Sequence, residues 1–285
     1  MHALSRILER LLTRGLISIY SVLALGAVTN ATAAELTLAT WNIAWLRGAP
    51  LSDADYAKCR AMPQKQRDQL DERDPMRWIC RSSEHYVALA QVAERINADI
   101  IALQEVESVD AIYRVFPRDR YMAFVTGSPW IQRTGFAVRK GRAEVVKFED
   151  YAALGAPMPD YPRHGGDLTV RPPGGKVLRL LAVHLKSACH SRPLTDETMG
   201  RYDKPGNSPP CKILGDQVRP LEEWIDARAR EGVDFLVMGD FNRRLDSAIE
   251  RTEPARDPQG RQVTLWKEID DGDPPGARLV RATAG

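Results

Sequence analysis

The sequence predicts one α/β or α+β domain, and three observations carry that assignment. Four apolar runs, Leu36–Trp41, Ile100–Gln104, Val177–Val183 and Asp234–Gly239, are apolar on both alternating sets of positions and read as strands covered on both faces. Two segments place apolar residues at helical spacing, and each leads directly into one of those strands. Shorter runs between them recur at hairpin spacing.

The elements follow in order. Arg6, Arg10 and Arg14 precede an uncharged stretch from Gly15 to Val28, and Ala31-Thr32-Ala33 fits a small-x-small cleavage site, so residues 1–33 read as a secretory signal peptide. The uncharged stretch, about 14 residues, is short of the ~20 that a spanning helix needs. Residues 34–285 are then a single periplasmic or secreted domain with no stable membrane anchor after cleavage. After the first strand, Arg47–Ser82 is long and polar, with a short helix predicted around Pro63–Asp71. Ser82 caps a predicted helix to about Asn97, with Glu84 in its first turn and Tyr86, Leu89, Ala93 and Ile96 as its buried stripe. Tyr121–Thr126, Gly135–Lys140 and Ala143–Phe148 are spaced as an antiparallel meander. A Pro/Gly-rich loop over 155–166 precedes a strand at Asp167–Arg171, and Pro172-Pro173-Gly174-Gly175 turns that strand into the third apolar run. The irregular insert Ser187–Lys212 is followed by a helix over Ile213–Arg230, with Leu214, Val218, Leu221 and Ile225 on its buried face and Gly232 as its stop.

At 44% hydrophobic and 27% charged, 285 residues suffice for one sizeable core. Three Arg and one Glu in the leader account for the net charge of +2, which leaves the mature chain near neutral, with no global positive field to draw in a polyanion. Arg139-Lys140-Arg142 and Arg243-Arg244 read as solvated loop charge. Four cysteines behind an export signal point to disulfides, and the absence of C-x-x-C or a nearby histidine pair argues against zinc. Of three possible pairings we choose Cys59–Cys80 and Cys189–Cys211, because each staples one irregular insert. Each would close a loop of about 20 residues, worth roughly 3 kcal/mol.

Every apolar run ends on a polar residue: Asn42, Glu105, His184, and Asp240 with Asn242 two places on. In open α/β sheets, sites form just beyond strand ends. Taken singly, each has a plain structural reading, as a cap, a loop-edge carboxylate, a packed histidine or an Asx turn. A carboxylate closing a buried strand is nevertheless costly unless it is hydrated, paired or bound to a cation. An amide, a carboxylate, an imidazole and an Asp-x-Asn at one sheet edge together suit metal-assisted hydrolysis of a phosphoester.

Thr40-Trp41-Asn42-Ile43, Ile101-Ala102-Leu103-Gln104-Glu105-Val106, Val183-His184-Leu185-Lys186-Ser187 and Met238-Gly239-Asp240-Phe241-Asn242 resemble, in order, the successive motifs of the endonuclease/exonuclease/phosphatase superfamily. The resemblance spans about Glu35 to Asn242. It implies a four-layer sandwich of two packed mixed β-sheets flanked by helices. By resemblance, Glu105 binds Mg²⁺ (or Mn²⁺) and Asn42 supports the metal and the phosphate. His184 hydrogen-bonds the phosphate or protonates the leaving oxygen. Asp240 orients or deprotonates the attacking water, and Asn242 holds a phosphate oxygen. The implied activity is a nuclease-like phosphodiesterase, monomeric, with a phosphoester substrate and nucleic acid favoured. A phospholipid or sugar-phosphate phosphoesterase is the alternative within the superfamily.

One family motif is missing. No Ser-Asp-His follows Asn242, and His190 is the last histidine. The late acidic cluster Asp270, Asp271 and Asp273 sits beside Gly272 and Pro274-Pro275 and reads as an exposed turn. The resemblance therefore implies a domain lacking its last strands. It also implies a poor enzyme, or a non-catalytic remnant that acts at most as a binding module.

Overall fold

The computed structural model describes residues 35–199 and 208–282; the predicted leader, residues 1–33, lies outside them. In chain order the elements are β1 (Leu38–Leu46), α1 (Asp53–Ala61), α2 (Gln64–Arg67), α3 (Pro75–Trp78), α4 (Ser83–Ile96), β2 (Ile100–Val106), α5 (Val109–Tyr113), β3 (Tyr121–Val125), β4 (Arg133–Arg139), β5 (Glu144–Tyr151), a 3₁₀ turn (Ala152–Gly155), β6 (Gly165–Arg171), β7 (Leu178–His184), α6 (Pro210–Glu231), β8 (Asp234–Asp240), α7 (Ala248–Thr252) and α8 (Trp266–Ile269).

Two mixed four-stranded sheets form, ordered β1-β2-β4-β3 and β5-β6-β7-β8. The parallel pairs are β1–β2 and β7–β8, and each is linked by a crossover that contains a long helix. The period-2 alternation of the central strands divides their side chains between two cores. On β2, Ile101 and Leu103 face the Tyr86, Ala93, Leu89 and Ile96 stripe of α4. Ile100 and Ala102 face the other sheet, where they pack with Phe136, Leu168, Leu180 and Ala182. On β7, Leu181 and Val183 turn toward Leu214, Val218, Leu221 and Ile225 of α6. The layers are thus helix, sheet, sheet, helix, as the resemblance implies. Both predicted helical stripes are the faces that pack.

Three expectations change. The meander does not form: β3 pairs with β4, but β5 leaves for the second sheet and pairs with β6. Spacing cannot distinguish a hairpin from a chain that crosses between sheets; here Arg142, just past the β4 turn, pairs with Asp99 at 2.8 Å. The four apolar runs are not all covered on both faces. β2 and β7 are interior and buried, whereas β1 and β8 are sheet edges and only half-buried. The two basic clusters are not simply solvated either. Arg139 and Arg142 both reach Asp99, and the Arg243 side chain is fully buried against an equally buried Glu250, Nε to Oε1 2.6 Å.

The cysteine pairs chosen from the sequence both come together. Cys59 and Cys80 lie at disulfide distance with Cα atoms 5.7 Å apart, and Cys189 and Cys211 with Cα atoms 5.0 Å apart. The first bridges α1 to the residue before Arg81. The second ties the start of α6, which begins at Pro210, to the segment just after β7. Helix α6 starts three residues earlier than predicted because Pro210 takes a first-turn position, where a missing N–H costs nothing.

Glu222, on α6, carries a pH signature. Burial, reinforced by the Glu268, Asp271 and Asp226 carboxylates, raises its carboxyl to about 7. A folded-state value above the unfolded 4.5 means that its favourable contribution is present below about 4.5 and is lost as pH rises through 7. Glu222→Gln is therefore expected to raise Tm clearly at pH 8 and far less at pH 5. Thermal scans at the two pH values check this; an equal shift at both would contradict it.

Candidate active site

The four polar strand-end residues converge because β1 and β8 lie opposite one another across the two sheets. His184 and Asp240 are register partners at the ends of the parallel pair β7 and β8. That pairing requires Gly239. It sits at φ 144°, and a β-carbon there would fall 2.1 Å from the Val183 carbonyl oxygen.

Asn42 and Glu105 reach the site through irregular backbone. The β1–β2 register runs regularly to Asn42 opposite Gln104 and resumes only at Leu46 opposite Val106, and the β2–β4 ladder breaks at the same place. Glu105 is the bulged residue, with φ 63°, and Ala44 and Trp45 on β1 have φ 53° and 56°. Asn242 has φ 50°. Of the six non-glycine residues with positive φ among the described residues, four are at this site. Such conformations cost of order 1–3 kcal/mol each, and they persist where surrounding structure enforces them. Asn42 is therefore not the end of its strand, as the sequence suggested, but the last regular residue before a double bulge.

The Asn42 amide organises the centre. Its Oδ1 accepts the Ala44 N–H at 3.0 Å, which fixes the amide so that Nδ2 donates to Glu105 Oε1 at 3.1 Å and to Asp240 Oδ2 at 2.9 Å. One amide thus holds carboxylates from both sheets. Glu105 Oε2 also accepts the Trp45 N–H at 3.2 Å, and Asp240 Oδ1 accepts the Asn242 N–H at 2.8 Å. Asn242 Nδ2 donates to the Leu185 carbonyl at 3.0 Å. His184 Nε2 lies 3.7 Å from Glu105 Oε1 and 4.0 Å from Asp240 Oδ2.

Residues that sequence reasoning missed complete the site. Arg163 Nη1 donates to the Leu185 carbonyl at 3.0 Å and lies 3.2 Å from His184 Nε2, while its Nη2 donates to Gln132 Oε1 at 2.5 Å. Because a guanidinium cannot accept, His184 Nε2 is the acceptor and Nδ1 carries the proton. That Nδ1 is buried and unpartnered among the described residues. Burial and then the Arg163 charge push the His184 pKa well below 6.5, so the imidazole is neutral at pH 7. Burial also lowers Arg163 to about 10, with Glu105 and Asp240 opposing the shift, and it stays cationic at neutral pH. From the stapled insert, Arg81 donates twice to the Ile43 carbonyl inside the bulge, at 3.3 and 3.2 Å. Trp78 stacks on Trp45 with ring centroids 4.6 Å apart, and the Arg77 guanidinium lies over Trp78 at 4.8 Å. Arg163 sits in an aperiodic loop and left no signal in the sequence. Arg81 stands next to a bridged cysteine, which was a usable hint.

The donor set suits a hard divalent cation. Two carboxylates, Glu105 and Asp240, converge on one point at the Asn42 Nδ2, and Mg²⁺ binds through one or two carboxylates while keeping several waters. Among the described residues no three or more His, Cys, Asp or Glu side chains come together so as to hold a metal ion by themselves.

Among solved structures, humanized D. rerio TDP2 is similar at 16% identity and TM-score 0.43, covering 73% of this chain and 63% of that one. TDP2 from C. elegans is similar at 18% identity and TM-score 0.46, covering 73% and 48%. An endonuclease/exonuclease/phosphatase family protein from Bacteroides thetaiotaomicron gives 16% identity and TM-score 0.42, covering 74% and 65%. The chain thus spans less than two thirds of the length of each. No curated protein matches the sequence. Residues 39–265, which hold both sheets and every residue of the converging site, match the Endonuclease/Exonuclease/phosphatase family, and the chain belongs to that family.

Proposed function

We infer that this chain is a Mg²⁺-dependent phosphodiesterase of nuclease-like type, exported from the cytoplasm. The observation that carries the reading is the pair of carboxylates, Glu105 and Asp240, drawn from different sheets onto the single Asn42 amide beside a neutral buried histidine. Glu105 is the residue placed to hold the cation, with Asn42 fixing its orientation. When bound, that cation neutralises charge on a scissile phosphate. Asp240, whose two oxygens are already oriented by Asn42 and Asn242, points an attacking water in line with the leaving group. Arg163 faces the anion as a fixed cation, and neutral His184 serves as a hydrogen-bonding wall rather than a strong acid.

The Trp45–Trp78 stack, tied to Glu105 through the Trp45 N–H, supports a substrate that carries planar bases. Export is supported by the leader pattern and by two cysteine pairs at disulfide distance, which persist in oxidising compartments. A panel of double-stranded DNA, RNA, sphingomyelin and a phosphomonoester, each assayed with Mg²⁺ and with EDTA, tests the assignment. Metal-dependent cleavage of a nucleic acid is expected. Turnover confined to sphingomyelin or the monoester would move the chain to another branch of its family.

A further inference from the structure

His190 lines the same cavity of about 380 Å³ as Asp240 and Asn242. Its side chain is exposed, but the backbone that carries it is held by several contacts. Its neighbour Cys189 is bridged to Cys211 on α6. The Cys189 carbonyl accepts from Nη1 of buried Arg243 at 2.9 Å, and the His190 carbonyl accepts from the Arg244 N–H at 2.8 Å. Ala188, two residues before, takes the left-handed φ of 71° that turns the segment back toward the site.

The ring itself is oriented. His190 Nδ1 lies 3.0 Å from the Asn242 carbonyl oxygen. A carbonyl can only accept, so Nδ1 carries the proton and Nε2 presents a lone pair. Among the described residues Nε2 has no partner. An imidazole with one nitrogen fixed by a carbonyl and the other open, lining the same cavity as the water-orienting carboxylate, suits the role of a general base.

We propose that His190 is the catalytic base for hydrolysis at this site. The proposal rests on the phosphodiesterase reading above. As the water oxygen bonds to phosphorus, one water proton passes to His190 Nε2. The bond from phosphorus to the leaving oxygen breaks, the leaving oxygen takes a proton from solvent, and His190 returns its own proton to solvent. Asp240 aims the water and does not need to take its proton.

The test uses the full chain with Mg²⁺ and bis(p-nitrophenyl) phosphate as the phosphodiester probe. His190→Ala and His190→Gln are expected to lower kcat by about 10²–10⁴-fold, the usual worth of general acid–base help. Mg²⁺ affinity by calorimetry should stay as in the wild type, and added imidazole should restore turnover to the Ala variant. A readout independent of activity is ¹⁵N NMR of the histidine rings, in which neutral His190 should show the Nδ1–H tautomer. Wild-type turnover by His190→Ala, an Nε2–H tautomer, or a wild-type chain that binds Mg²⁺ at Glu105 without turning over would each overturn the base assignment and leave the metal site standing. Metal binding and turnover unaffected by Glu105→Gln would instead overturn the underlying reading, and the base with it.

Discussion

Glu105→Gln is expected to lower Mg²⁺-dependent phosphodiester hydrolysis by at least about 10³-fold while leaving the chain folded. Glutamine keeps the volume and one acceptor, so it keeps one of the contacts to Asn42 Nδ2 and the Trp45 N–H and loses the other, a small cost beside the stability of the whole domain. What it removes is the negative charge that holds a divalent cation, whose charge stabilisation is worth several kcal/mol. Each ~1.4 kcal/mol is a factor of ten in rate. Initial rates over a Mg²⁺ titration, read beside the circular dichroism of both proteins, measure the effect. A variant with near-normal kcat and Mg²⁺ dependence would show that Glu105 is a loop-edge carboxylate after all.

The largest stability effect is expected at a buried ion pair beside the site rather than at the reacting groups. Arg243 and Glu250 are both fully buried, with Nε and Oε1 2.6 Å apart. Glu250 also accepts the Leu265 and Trp266 N–H groups, at 3.1 and 2.8 Å. Arg243 reaches the carbonyls of Cys189 and Arg192, at 2.9 and 2.5 Å. The pair therefore ties the segment after β8 to the loop that carries His190 and to the residues that open α8. Removing one partner leaves the other as an uncompensated buried charge, at a cost of about 3–5 kcal/mol. Glu250→Ala should lower Tm by roughly 10 °C or more for a domain of this size. A calorimetric scan showing a shift under about 2 °C would mean that water reaches the pair and the desolvation argument fails.

How much of this was legible in the sequence follows from where each signal is local. β2 and β7 were readable because interior strands need apolar residues on both faces, and Ile100–Leu103 and Leu180–Val183 supply them. The α4 and α6 stripes were readable because a helix packs one face. The cysteine pairing was readable from the two inserts. The edge status of β1 and β8 was not, since an edge depends on which strand lies beside it. The route of β5 depends likewise on a partner, β6, that comes later in the chain. At the site, Asn42, Glu105, His184 and Asp240 announced themselves as polar endings of apolar runs. The double bulge that lets Asn42 reach two sheets did not, because nothing in Asn42-Ile43-Ala44-Trp45 demands a left-handed backbone at Ala44 and Trp45. Arg163 and His190 were invisible as site residues for the same reason. Each lies in an irregular segment whose position is set by tertiary contacts: Arg163 with Gln132 and Leu185, His190 with Asn242 and the Cys189–Cys211 link.

The central claim is that the carboxylates gathered by Asn42 form the seat of a divalent cation that faces a phosphoester. Anomalous diffraction from crystals of the chain soaked in Mn²⁺ tests it most directly. One strong peak within about 2–2.5 Å of a Glu105 carboxylate oxygen is expected, with remaining ligands from water. No peak at Glu105 at millimolar Mn²⁺, or a peak held only by other carboxylates such as those around Asp271, would contradict it.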